Sequence, residues 1–171
     1  MTGADIRNAI KERFPDAVLS EAEGRDMDTV VISVESLRDV SVFLRDDPEL
    51  NFDMLTDLTA VDWHRRKTPR YELVAMFWST DKDHRIRLKA PITADSSEFD
   101  TLSEVYGVAN WLEREIFDMF GLKAKGHPNL RRMLTHEGFE GHPLRKDYPV
   151  NRRQPIRPPV TDLLTKKPYQ G

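Results

Sequence analysis

Apolar residues recur along this chain in two rhythms, a helical one and an alternating one, and their order predicts an architecture. Ile6, Ala9, Ile10 and Phe14 fall at helical spacing and Pro15 ends the run, which predicts a first helix over about residues 3–14. Two short strands, Ala17 to Glu21 and Thr29 to Val34, flank the polar turn EGRDMD. Leu37, Val40 and Leu44 then give a second helix. Ser36 and Asp39 in front of it resemble a capping box, and Asp46-Asp47-Pro48 ends it.

The rhythm then changes to alternation. Met54 to Val61 reads as a strand. YELVAMFW (residues 71–78) is apolar on both faces, which places it in the interior of a sheet. HRIRLKA (84–90) turns Ile86 and Leu88 inward and Arg85, Arg87 and Lys89 outward. The turn STDKD joins these last two as an antiparallel hairpin. A third helix follows, with Ser103 as its cap and Val105, Val108, Ala109, Leu112, Ile116 and Met119 on one face. Gly121 suits the position just past its end. The expected fold is α+β, with helices packed on a largely antiparallel or mixed sheet over residues 1–121.

Beyond Gly121 the pattern fades. Residues 122–150 read as an ordered segment rich in Gly, His, Pro and Arg, and residues 151–171 as an extended proline-rich basic arm. From Tyr148 to Gly171 there are five prolines, five basic residues and one acid, Asp162, so this stretch has little to bury against itself. Pro155, Pro158 and Pro159 favour polyproline II.

Composition narrows the function. A chain of 171 residues fits one domain plus an extension. A net charge of −3 and an isoelectric point near 6.0 give no overall pull toward nucleic acid or anionic lipid. The absence of cysteine removes disulfides, thiolate zinc sites and cysteine-ligated iron–sulfur clusters. The N-terminus is charged from Asp5 onward, unlike a signal peptide, and the apolar run LVAMFW is too short to span a bilayer. Any membrane association is expected to run through another chain.

The candidate chemistry lies in GHPNLRRMLTHEGFEGHPLRKDYP, residues 126–149. A metal-dependent hydrolase would draw on His127, His136 or His142 with Glu115 or Asp118. Against it, there is no HExxH or His-x-His, and His127 and His142 each precede a proline, which favours extended or turning backbone. The simpler reading is two turns whose imidazoles bond to backbone. Glu115 and Asp118 are helical neighbours, and Glu115 borders the apolar stripe, so it is expected to be partly buried and partnered. Arg131 and Arg132 lie shortly downstream as the natural partners. GxGxxG, GxxxxGKS and GxSxG are all missing, and the arm offers only Tyr148 and Tyr169 for base stacking. His64 and His84 read as solvated surface histidines.

Residues 111–150, WLEREIFDMFGLKAKGHPNLRRMLTHEGFEGHPLRKDYPV, resemble the signature of the 30 kDa subunit of respiratory complex I, the proton-translocating NADH–quinone oxidoreductase. The matching elements are Glu113-Arg114-Glu115, Asp118-Met119-Phe120-Gly121, Gly126-His127-Pro128, Leu130-Arg131-Arg132 and Gly141-His142-Pro143-Leu144-Arg145-Lys146-Asp147-Tyr148-Pro149. Lys123-Ala124-Lys125 departs from the aromatic or bulky apolar residue usual before the first Gly-His-Pro. The resemblance implies a non-catalytic hydrophilic member of the peripheral arm, whose signature residues serve structure and a partner interface. It implies no catalytic, cofactor-binding or metal-binding residue in this chain. FMN and iron–sulfur clusters would sit in partner subunits. The implied neighbours are a 49 kDa-type subunit of the quinone module and other peripheral-arm subunits, with the arm from Asn151 running over the former. The implied place is peripheral, at the cytoplasmic side of the bacterial inner membrane. Equivalent subunits occur in membrane-bound hydrogenases and in quinone reductases fed by other donors, so the donor stays open at this point.

Overall fold

The computed structural model describes residues 2–25, 27–93, 96–136, 138–152 and 154. All but three residues of the expected arm (Asn151, Arg152 and Gln154) therefore lie outside the described residues.

The first helix, α1, spans Gly3–Arg13 and carries the true capping box of the chain. The Thr2 hydroxyl accepts the Asp5 N–H at 3.3 Å, and the Asp5 carboxylate accepts the Thr2 N–H at 2.7 Å. Ile6 and Ile10 are its buried face. Strands β1 (Val18–Ala22) and β2 (Asp28–Ile32) form a hairpin, and α2 spans Leu37–Asp46. The capping box expected at Ser36 and Asp39 does not form. A 3-10 turn over Val34–Ser36 already tightens the entry to α2, so Ser36 has helical dihedrals and its hydroxyl meets that of Ser33 instead.

Strands β3 (Met54–Asp62), β4 (Tyr71–Ser79) and β5 (His84–Ile92) complete a five-stranded sheet in the order β1-β2-β5-β4-β3. Every pairing is antiparallel except β2 with β5. The doubly apolar YELVAMFW stretch is interior, as its composition requires. Ile86, Leu88, Ala90 and Ile92 point into the core from β5 and meet Ile6, Ile10, Val40 and Leu44 there. Full burial of each large aliphatic side chain is worth about 1.5–3 kcal/mol.

Two features escape the apolar pattern. A parallel pair of three-residue strands, β6 (Glu98–Asp100) and β7 (Lys123–Lys125), joins distant segments. Each contributes one buried residue, Phe99 and Ala124, which is too little for a periodicity to register. The third helix, α3, begins at Ala109 and ends at Phe120, so Ser103 does not cap it. The stretch before it makes consecutive turns, in which Val105 and Tyr106 donate to the Leu102 carbonyl. Val105 is only partly buried and Val108 is exposed, so neither belongs to the inner face of α3. Gly121 does terminate the helix, at φ +75°.

The helix α3 lies against β3, and the described residues after β7 return over it without helix or strand. Among the described residues no helix is long and apolar enough to cross a membrane.

Candidate functional site

α3 buries three charged side chains, Glu113, Arg114 and Asp118, alongside Ile116, Met119 and Phe120. Arg114 and Asp118 organise the segment wound around the helix, and Glu113 organises the turns that lead into it.

Asp118 is fully buried. One carboxylate oxygen accepts the N–H groups of Met133 (3.0 Å), Leu134 (2.7 Å) and Thr135 (2.8 Å). The other accepts the Arg132 guanidinium at 2.8 Å and the Thr135 hydroxyl. Burial by itself would raise the pKa of this carboxyl. The bonds from Thr135, Met133 and Arg132 outweigh it and hold the group far below the usual carboxylate range. Arg132 extends the link by donating to the Gly141 carbonyl at 2.9 Å and lying over the Phe139 ring.

The second Gly-His-Pro segment closes the end of α3. A helix leaves its last carbonyls unpaired. Here His142 Nδ1 donates to the Asp118 carbonyl at 3.0 Å, Leu144 N–H to Met119 at 3.1 Å, and Arg145 Nε to Phe120. Gly121 fits because His142 and Arg145 lie where a Cβ would go, 2.5 Å away. Gly141 turns at φ +88° beside the Tyr148 ring, Pro143 follows at the turn, and Tyr148 stacks on Phe139.

The first Gly-His-Pro segment fixes the other half of α3. Gly126 has φ +83° and Pro128 follows the histidine. His127 Nε2 meets the Asn110 carbonyl at 3.0 Å while Nδ1 accepts the Asn129 N–H at 3.0 Å, which assigns the neutral Nε2–H tautomer. Glu113 accepts the Thr101 hydroxyl and the Leu102 N–H, both at 2.6 Å, and burial pushes its pKa up. Arg114 reaches the carbonyls of Arg131 and Arg132 at 3.2 and 3.4 Å and lies over the exposed Trp111 ring.

Three expectations need correction. Glu115 is half-buried but makes no hydrogen bond or ion pair among the described residues; the buried acids of α3 are Glu113 and Asp118. Helix phase explains this, because the inward arc runs through 109, 113, 116 and 120 rather than through 115. Arg131 meets the helix through its backbone carbonyl, leaving Arg132 as the ion-pair partner. His84 is likewise no solvated histidine, since Nε2 meets the Leu50 carbonyl at 2.7 Å and the ring packs on Phe52.

Sequence reasoning overlooked a second network. The Asp62 carboxylate is buried at the end of β3 and accepts Arg70 through two bonds (2.9 and 2.8 Å), the His64 N–H at 2.8 Å and the Lys146 N–H at 2.9 Å. Arg70 also pairs with Asp147 at 2.9 Å. Burial opposes ionisation of Asp62, but the bonds from Arg70, Lys146 and His64 prevail and lower its pKa to about 2. Arg70 holds Asp147 below its ordinary value too. The signal was present, since Leu58, Ala60 and Asp62 share the inward row of β3 and an acid in that row needs a partner.

For a metal-dependent hydrolase the histidines would have to converge. His127 has both nitrogens engaged and His136 is exposed against Phe139. Among the described residues no three His, Asp or Glu side chains gather as a metal would need.

The site is thus a polar joint built on one helix, with Trp111, Leu134 and Leu144 exposed around it. The family model for the respiratory-chain NADH dehydrogenase 30 Kd subunit matches residues 30–154, which run from within β2 through β3, β4 and β5 to α3 and the wound segment. The chain belongs to this family. The corresponding NADH-quinone oxidoreductase subunit of Rhodobacter capsulatus is 46% identical over 85% of this chain and 72% of the relative. That of Citrifermentans bemidjiense is 43% identical over 91% and 94%. A solved chain from a membrane-bound sulfane sulfur reductase, an archaeal respiratory membrane complex, superposes with a TM-score of 0.71 at 26% identity, covering 87% of this chain and 86% of that one. A trypsin-resistant fragment of Nqo5 shares the fold, with a TM-score of 0.63 at 20% identity over 74% and 98%. As a member of the 30 kDa family, the chain is a subunit of NADH-quinone oxidoreductase, complex I, and has other subunits of that complex as partners.

Proposed function

We propose that this subunit is a non-catalytic brace for the quinone-reducing module of complex I, docking through the signature segment onto a 49 kDa-type subunit. The observation that carries the reading is the saturation of its polar groups. Asp118 spends its hydrogen bonds on the segment, Glu113 on the turns ahead of α3, and His127 on Asn110 of the helix and on Asn129, which suits shaping a surface better than moving protons. Exposed Trp111, Leu134 and Leu144 then supply apolar anchors around a polar, internally paired frame. In this reading FMN and the iron–sulfur clusters belong to other subunits, in keeping with a chain that has no cysteine. The complex works at the cytoplasmic side of the bacterial inner membrane, and this chain meets the membrane only through it. NADH is the donor favoured by identity, since the NADH-quinone oxidoreductase subunits match at 46% and 43% against 26% for the sulfane sulfur reductase chain.

The test is affinity purification of the tagged chain from detergent-solubilised membranes, with mass spectrometry of what is retained. Wild type should bring down a 49 kDa-type subunit with flavin- and cluster-bearing chains. Arg132→Ala leaves Asp118 buried without its cation, at a cost of about 3–5 kcal/mol, and should lower the amount of assembled complex. A variant complex that assembles in full amount and turns over slowly would refute the brace.

A further inference from the structure

The loop between β3 and β4 reads WHRRKTPR, with four Lys or Arg and no acid in eight residues, in a chain whose net charge is −3. It borders a cleft of about 520 Å³ lined by Val61, Asp62, Trp63, His64, Arg65, Arg66 and Lys146. The acids nearby are already occupied. Asp62 and Asp147 hold Arg70, and Glu72 holds Lys67 at 2.7 Å with Lys89 at 3.6 Å. Among the described residues Arg65, Arg66 and Lys146 have no acidic partner, and all three are exposed.

The loop that presents them is ordered by its own bonds. Trp63 N–H donates to the Arg70 carbonyl at 2.8 Å, Arg66 N–H to the Trp63 carbonyl at 2.8 Å, and His64 N–H to Asp62. Asp62 also accepts the Lys146 N–H, so one buried carboxylate sets the loop and the signature segment at a fixed spacing. The backbone that carries two guanidinium forks and an ammonium is therefore fixed around a concave surface before any ligand arrives, which lowers the ordering cost of binding.

We infer that this cleft receives a carboxylate-bearing segment of a neighbouring subunit, with Arg65, Arg66 and Lys146 as its cationic contacts. The inference rests on the docking reading above and adds to it a second contact region and the chemistry of its partner. A protein carboxylate is favoured over a lipid phosphate because Lys146 sits within the signature segment, between Arg145, which closes α3, and Asp147, which binds Arg70. The docked surface and the cleft are continuous through these three residues.

The test uses the intact complex isolated through this chain and treated with a water-soluble carbodiimide, which joins an amine to a carboxylate only when they touch. Peptide mass spectrometry should find Lys146 Nζ joined to an Asp or Glu of another subunit. The product should be absent in Lys146→Arg, which keeps the charge, and at least tenfold weaker in Arg65→Glu/Arg66→Glu. A wild-type complex that keeps its subunits but yields no Lys146 product overturns the inference and leaves the docking reading intact. Phospholipid that copurifies with wild type and is lost from the double variant, with no Lys146 product, also overturns it in favour of a lipid headgroup. If the wild-type chain retains no other subunit, the docking reading falls, and this inference with it.

Discussion

Replacing Asp118 by asparagine keeps the shape of the side chain and removes its charge, so it isolates what the carboxylate contributes. The amide oxygen can still face the N–H groups of Met133, Leu134 and Thr135. Its NH2 must then face the Arg132 Nη1 donor, which stood 2.8 Å from the carboxylate. The Thr135 hydroxyl can rotate to accept from the amide, but the guanidinium cannot accept. The variant therefore loses one charge-assisted bond and weakens three others, at a cost of about 2–3 kcal/mol. At about 1.4 kcal/mol per decade, the amides of residues 133–135 should exchange with deuterium roughly 30- to 150-fold faster. The assay is peptide-resolved hydrogen exchange, with amides of β4 as an internal control. The depressed pKa sets the sign of the pH effect. Protection from this carboxylate is fully present above the unfolded value near 4 and falls as pH drops through the lower folded value. Unchanged exchange at residues 133–135 in Asp118→Asn would refute the role of Asp118 as the template of the segment.

Three further outcomes follow from the geometry. Asp62, with its pKa lowered to about 2, contributes stability that is intact above about pH 4 and is lost between pH 4 and 2; the emission of Trp63 should report that transition, and Asp62→Asn should shift it. Glu113 is the opposite case. Its raised pKa means that ionisation above the ordinary range costs stability, so Glu113→Gln, which can still meet Leu102 N–H and Thr101, should unfold at pH 7 no more easily than wild type, and a large loss in a thermal melt would show that the charge is needed. Gly121→Ala incurs left-handed strain of about 1–2 kcal/mol and also displaces His142 and Arg145, whereas Gly138→Ala, at φ +85° with nothing within 4 Å, incurs only the strain; thermal melts should rank the two in that order.

The sequence by itself determined the elements whose burial repeats. Ile6 and Ile10 on α1, Leu37, Val40 and Leu44 on α2, and Ile86 and Leu88 on β5 are all buried where their spacing puts them. Gly121 marked the end of α3, because a left-handed residue is a local requirement that one letter can express. The signature between Trp111 and Val150 also carried the family in its letters. Only the tertiary structure decided where α3 begins, since Leu102, Val105 and Tyr106 pack from turns while sharing a helical spacing, and Glu113 binds the Leu102 N–H from within the helix. It alone decided which acids are buried, because Glu113, Glu115 and Asp118 differ in their angle around one cylinder and not in composition. It also brought Asp62 and Arg70 to Lys146 and Asp147, some eighty residues away in the chain. Periodicity records burial along one element, whereas an ion pair between elements needs two surfaces to meet, and no single stretch of sequence holds both.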